Sequence, residues 1–492
     1  MAVSTTPTTS PEGAPNITAS EFSATPLLDA FENFKGTFHD LDAHIKVSAG
    51  ELKNLKNEAQ RKMTAGGITP GDIVVAALPN GSLFAAVWAA SLASGASPIL
   101  VHSETPAAEL ERMADRWGAH FMVSGGADTG EILLDEPYGT LRWRRRENND
   151  ADSPPSRFVS VPLHPTSGTT SEPKIAVRPG PCAVAEPRHY IQALGVDKSD
   201  IILCAIPMSH AYAYGMCLMV SLLTSADLLY MRKFHPGLLR TAINEMGVSV
   251  FPAIPVMLDS LLPQSGKPMA DHPRIVLSAG ATLGKRTFLE FRKAYGIDVR
   301  PLYGTTETGG ISIGDGDDAA NGAVGCAMQG VEVELQRSDR TKLDDKTGIL
   351  RVRSSSMMAG YLEGNTMGLD AVDDGCFETG DLAQIDVYGK IHLLGRISEV
   401  INAFGFKVIP REVEEVIAML PEVVEVKVYP RRRGDADTVE AAVVCQNRFS
   451  ERQILAHCEK HLVDYKCPTA IHLVDSLPRT ESGKVAIDRL PK

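Results

Sequence analysis

Hydrophobic positions along this chain recur with two periods, one helical and one of strands, and the two alternate. Residues 51–63, 83–94 and 107–116 place apolar side chains at helical spacing, whereas 72–77 and 98–102 are short apolar runs of strand length. Strands alternating with helices predict parallel βαβ units. The pattern resumes at 159 and continues to about 350, with strands expected at 159–163, 201–206, 248–253 and 274–278. After Gly348, turn residues and short alternating strands run to Leu394, the texture of a β-rich subdomain. From Gly395 the order is helix 412–420, strands 423–429 and 439–445, helix 450–461 and strand 470–473, enough for a compact domain of about 100 residues. The expectation is a mixed α/β fold. A large N-terminal lobe, 26–394, holds parallel sheets flanked by helices and a β-rich subdomain, and a small, mobile α+β domain, 395–492, follows it.

Two stretches break the periodicity. Residues 1–25 are rich in Thr, Ser, Pro and Ala and carry too little apolar surface to offset ordering entropy, so they are expected to form a flexible tail. Residues 142–157 (RWRRRENNDADSPPSR) mix charges with Pro and read as a surface loop.

Bulk properties narrow the classes. A length of 492 residues calls for at least two domains at roughly 100–200 residues each. With 43% apolar and 22% charged residues, a large buried core is possible. The formal charge of −12 argues against a nucleic-acid or anionic-membrane partner, which it would repel at long range. Eight cysteines occur without any C-x-x-C pair, so no zinc or redox centre is expected, and scattered thiols fit a reducing cytoplasm. No apolar run reaches the roughly 20 residues of a bilayer span, and no basic segment leads into an apolar one at the N-terminus. The expectation is a cytoplasmic protein.

Candidate chemistry starts at a hydroxyl-rich loop. Thr166, Ser167, Gly168, Thr169 and Thr170, then Ser171-Glu-Pro and Lys174, crowd hydroxyls and main-chain NH groups beside a lysine, which are the donors a polyphosphate needs. It is not the G-x-x-x-x-G-K-[ST] pattern. Downstream stand Tyr303-Gly-Thr-Thr-Glu-Thr-Gly309, Glu378-Thr-Gly-Asp381, a block from Gly395 to Glu414, and Pro478-Arg-Thr-Glu-Ser-Gly-Lys484. In this order they resemble the signature motifs of the adenylate-forming superfamily, which comprises acyl-CoA synthetases, nonribosomal-peptide adenylation domains and firefly luciferase. The resemblance extends over roughly 34–492 and is closest in character to stand-alone acyl- or aryl-acid CoA ligases.

That resemblance implies ATP-dependent activation of a carboxylic acid as its acyl-AMP, with pyrophosphate released and Mg²⁺ required. It implies that the 166–174 loop grips the leaving phosphates, that Thr306 bonds the α-phosphate, and that Glu307 ligates Mg²⁺, a hard cation suited to carboxylate oxygen. Tyr303 would lie against the adenine, Gly304, Gly280 and Ala281 would also line the nucleotide site, Asp381 would accept from the ribose hydroxyls, and Arg396 would donate to ribose or phosphate. Lys484 would reach the forming acyl phosphate from the small domain, which turns about a hinge near Ser398. Ser171 and Ser398 depart from the family's usual residues there.

His210, within Pro207-Met-Ser-His-Ala-Tyr-Ala-Tyr-Gly215, is implied to contact the acid or a phosphate. No Asp lies between Ile206 and Leu218 to pair a substrate ammonium, which tilts the expectation to an aryl or acyl acid over an amino acid. Phe404-Gly405-Phe406 falls where relatives pass a pantetheine arm, and Gly405 would allow close approach. CoA is the expected acceptor, with a carrier-protein arm or a nitrogen acceptor as alternatives. No carrier or condensation segment follows, so a stand-alone enzyme is expected.

Overall fold

The computed structural model describes residues 22–125, 130–135, 137, 139–146, 160–166, 174–262, 273–337, 346–363, 366–368, 371–403, 406–433, 436–446, 449–479 and 485–491. Four sheets organise them. In the first, Ile201–Cys204 sits at the centre of a parallel run: Asp227–Tyr230 and Thr37–Asp40 extend it on one side, and Val250–Ala253, Ile275–Ser278 and Val299–Thr305 on the other. The second is built on parallel Ser97–His102, Ile73–Leu78 and Phe121–Ser124. Every residue of Ile73–Leu78 is buried, as expected of a strand covered on both faces. Helix Ser82–Ala93 is apolar all round and almost wholly buried in the main core, which removes the need for a polar face.

Local signals set several boundaries. Helix Ala49–Ala65 starts on a reciprocal Ser48–Glu51 capping box, and Glu451–His461 on a Ser450–Gln453 box. Pro410 opens helix Pro410–Ile417, where its missing NH costs nothing, so this helix begins earlier and ends earlier than 412–420.

The third sheet is antiparallel and holds Val331–Gln336, Gly348–Ser354, Val372–Asp373, Cys376–Ile385 and Ile391–Arg396. It confirms a β-rich subdomain and adds a strand before Gly348. The fourth, around Ala436–Cys445, builds the small C-terminal unit with its own core of Val413, Ile417, Val428, Val439, Ile454 and Ile471. Ser398 lies in the short turn Ile397–Glu399 that joins the third sheet to the fourth. Arg411 of the small unit donates through Nη1 to the Leu393 carbonyl at 2.5 Å, spanning that junction.

Three readings of the sequence are corrected. Part of the charged stretch 142–157 is not a loop: Leu141–Arg145 is a strand paired with Phe121–Ser124, and 147–157 lie outside the described residues. Trp143 supplies the reason, since its ring is buried and stacks on Phe121 at 5.7 Å, while the alternating arginines point outward or pair with Glu111 and Asp115. The strand expected at 159–163 is Leu163–Thr166, because Ser160 has a φ of 62° and interrupts the extended path. Of the tail, 1–21 lie outside the described residues, but Ala24 is buried and helix Thr25–Asn33 follows directly.

Trp143→Ala should lower stability by about 3 to 5 kcal/mol, the cost of emptying a buried aromatic site. A change within about 0.5 kcal/mol in urea unfolding would instead mark the segment as a solvated loop.

Candidate functional site

Open α/β sheets bind ligands beyond the carboxyl ends of their parallel strands, and several candidate residues follow those ends in the first sheet. After Ile201–Cys204 comes Pro207–His210; after Ile275–Ser278 come Gly280 and Ala281; Val299–Thr305 carries Tyr303 and Gly304 into the turn with Thr306 and Glu307. Asn80, just beyond the end of the second sheet's Ile73–Leu78, holds the His210 segment from the other side. Its Nδ2 donates to Ile206 O at 3.0 Å, and its Oδ1 accepts from Met208 N at 2.7 Å. His210 is exposed and heads the short helix Ala211–Ala213, so it is not a packed core histidine.

Thr166 and Lys174 face each other across a hairpin, as the last pair of Leu163–Thr166 and Lys174–Val177. Ser167, Gly168, Thr169 and Thr170, with Ser171, Glu172 and Pro173, lie outside the described residues, as do Lys484, Phe404 and Gly405. The hairpin's outer strand pairs with Gly360–Glu363, setting Tyr361 opposite Ala176. There the Lys174 ammonium lies 4.7 Å from the Tyr361 ring centre, a cation–π contact, and the Tyr361 hydroxyl donates to Glu307 Oε1 at 2.8 Å. One bridging tyrosine thus joins the end of the hydroxyl-rich loop to the expected metal ligand. Burial, and then the negative charge of Glu307, raises the Tyr361 pKa, keeping the phenol a donor.

A second group lies on the third sheet. Asp381 pairs with Arg396 across neighbouring strands, and Arg396 Nε meets Asp381 Oδ1 at 2.8 Å. The Tyr303 hydroxyl donates to Asp381 Oδ2 at 2.6 Å. Tyr303 is buried, and burial followed by the Asp381 charge holds its pKa well above the ordinary value. The structure therefore brings Tyr303, Asp381 and Arg396 together, and separately Lys174 and Glu307.

Beneath the turn sits a pair that sequence reading missed. Arg178 and Glu186 are sealed from solvent with Nη1 and Oε2 2.7 Å apart; the contact is not a linear hydrogen bond, so charge attraction carries it. Glu186 also accepts from Tyr190 at 2.8 Å, and Arg178 Nη2 donates to Ser356 O at 3.1 Å. Ser356 in turn donates to Thr308 O at 2.7 Å, and Met358 N to Glu307 O at 2.6 Å. Tyr361 and Glu186 carry no motif; the one available signal is Arg178 itself, a charge ending the apolar run Ile175-Ala-Val177.

His164, on the hairpin's inner strand, is wholly buried with its ring 4.7 Å from that of Tyr214. Desolvation, then the Arg178 charge, brings its pKa down to about 3.

Residues 30–362 match the family described as AMP-binding enzyme, and 412–484 match the AMP-binding enzyme C-terminal domain. The chain belongs to this AMP-binding enzyme family. Among its curated relatives is a long-chain-fatty-acid–CoA ligase, FadD13, of Mycobacterium tuberculosis, 25% identical over 90% of this chain and 92% of the relative. A 4-coumarate–CoA ligase of Pinus taeda is also 25% identical, over 86% of each chain. Among solved structures, ATP-bound MatB from Rhodopseudomonas palustris superposes with a TM-score of 0.81 at 24% identity, over 94% of this chain and 97% of that one, which establishes the shared fold.

His164 has a sign-definite consequence. Its pKa is depressed from 6.5 to about 3, so between those values the unfolded chain binds a proton that the folded chain refuses, and stability falls as pH falls through that window. Exchanging it for Phe keeps the ring contact and removes the proton. Between pH 7 and pH 5 in urea unfolding, wild type should lose about 2 kcal/mol more than His164→Phe.

Proposed function

We propose that this protein uses ATP to activate an aryl or acyl carboxylic acid as its acyl-adenylate, releases pyrophosphate, and passes the acyl group to a thiol, that of CoA. The observation that carries this reading is the pair of contacts made by the Val299–Thr305 strand and the turn after it: Tyr303 with Asp381 and Arg396, and Glu307 with Tyr361 and Lys174. Family membership and the CoA-ligase names of both relatives support the reaction class.

In the first half-reaction a carboxylate oxygen of the acid attacks the α-phosphorus of ATP. The bond from that phosphorus to the bridging oxygen breaks, and pyrophosphate leaves with the bond's electron pair. Charge builds on the phosphates throughout, so fixed cationic and hydrogen-bond donors are what the site must supply. Lys174, Thr166 and the 167–170 loop serve the leaving phosphates, and Thr306 the α-phosphate. Asp381 and Arg396 hold the ribose, with Tyr303, Gly304, Gly280 and Ala281 around the base. Both Asp381 oxygens already engage protein donors, but each carboxylate oxygen has a second lone pair for a ribose hydroxyl.

Glu307 suits Mg²⁺. Tyr361 engages Oε1, and the remaining oxygen is a hard donor. Glu307 would hold Mg²⁺, which would supply charge neutralisation for the phosphates. In the second half-reaction the thiol sulfur attacks the acyl carbonyl, AMP leaves, and the thiol proton passes to solvent. His210 borders the acid, and a pantetheine arm would pass 404–406. The turn at Ser398 allows the small domain to present Lys484 for the first step and withdraw it for the second. The bulk charge and cysteine usage support a cytoplasmic setting.

Two measurements test this. Lys484→Ala should slow acyl-adenylate formation by about 100-fold or more, the usual cost of one transition-state donor, while transfer from supplied acyl-adenylate to CoA stays within about 3-fold; equal loss of both steps sinks the assignment. Product mass with CoA and with an amine offered together should show the thioester, and an amide alone would contradict the acceptor.

A further inference from the structure

We propose that the Arg178–Glu186 pair is a positioning element that locks the Thr305–Gly309 turn against the acid-side helix, so that the nucleotide and acid halves of the site are set by one buried contact. This rests on the reaction proposed above and goes beyond it, because neither residue touches a substrate.

Glu186 reaches both halves. Gly309 closes the turn with a φ of 71°, and a Cβ there would lie 2.9 Å from Glu186 Cδ and 3.1 Å from Arg178 Nη2. Gly215, in the helix leading from His210, packs as closely: a Cβ would meet Glu186 Cδ at 2.7 Å. Two backbones from distant parts of the chain thus close on one carboxylate. Arg178 adds a second grip, since its Nη2 holds Ser356 O and Ser356 holds Thr308 O. Gly215 itself lies in the π-helix Tyr214–Met219, a wide turn often found at functional sites, which begins with the tyrosine that His164 packs on.

Stability alone does not account for such a pair. Taking two charges out of water is costly, and apolar residues of similar volume commonly substitute without loss, so a buried pair is weak evidence of a stabilising role. Geometry is the better account here: the hydrogen bonds that each partner makes elsewhere, Arg178 Nη2 to Ser356 O and the Tyr190 hydroxyl to Glu186 Oε1, fix directions that apolar side chains leave loose.

The test uses the full chain. Removing one partner strands the other charge, so the main variant is all-apolar: Arg178→Met, Glu186→Leu and Tyr190→Phe together. It should fold, and its kcat for acyl-adenylate formation should fall at least 30-fold with KM for ATP within about 3-fold, because positioning acts on the transition state. Combined with Glu307→Gln, the losses should be far from multiplicative, since both changes act through one turn. The milder Arg178→Lys keeps the charge, loses the second contact, and should cost about 3- to 10-fold. Hydrogen exchange without nucleotide gives a readout independent of activity: segments 303–310 and 211–219 should lose protection together in both variants. A folded variant with kcat within 2-fold of wild type, multiplicative losses, or unchanged protection in either segment overturns the proposal. Wild type inactive with every acid would overturn the reaction instead, and the exchange experiment would still decide the positioning role.

Discussion

Two opposite charges sealed inside an apolar lobe leave each other few places to be. Arg178 enters the core at the end of the hairpin of Leu163–Thr166 and Lys174–Val177 and Glu186 enters it on helix Gly180–Leu194, and each is tolerable there only because the other lies 2.7 Å away. Hairpin, helix, the Thr305–Gly309 turn and Ser356 are thereby held in one arrangement. The upper surface of that arrangement is where Lys174, Tyr361 and Glu307 meet.

Above this base the chemistry is one of anions. An acid and a polyphosphate repel until donors and cations are in place, and the candidate site gathers donors from separate sheets: Lys174 from the second, the turn from the first, and Arg396, beside the acceptor Asp381, from the third. Tyr303 and Tyr361 act as hinges between them, each donating to a carboxylate and each kept protonated by burial beside that carboxylate's charge. Phenols are suited to this, because they anchor an acid's orientation without neutralising its charge.

Much of the fold was legible in the sequence, since parallel strands covered on both faces must be apolar along their length and amphipathic helices must repeat. Helix Ala107–Arg116 and strand Ala470–Leu473 coincide with their periodic segments. Leu141–Arg145 was hidden because arginines flank its one buried anchor, Trp143, and pairing with Phe121–Ser124 is a non-local fact. The site divides in the same way. Tyr303, Glu307, Asp381 and Arg396 stand in local motifs, whereas Tyr361 and the Arg178–Glu186 pair acquire meaning only through contacts between distant segments. Thr166 and Lys174 were legible as loop ends, but their pairing across a hairpin was not.

Adenylation precedes any question of acceptor or domain movement. Pyrophosphate–ATP exchange measured across a panel of aryl, fatty and amino acids tests it most directly. Exchange that depends on added acid, strongest with aryl or fatty acids and dependent on Mg²⁺, is the expected result. A flat response across the whole panel would contradict it.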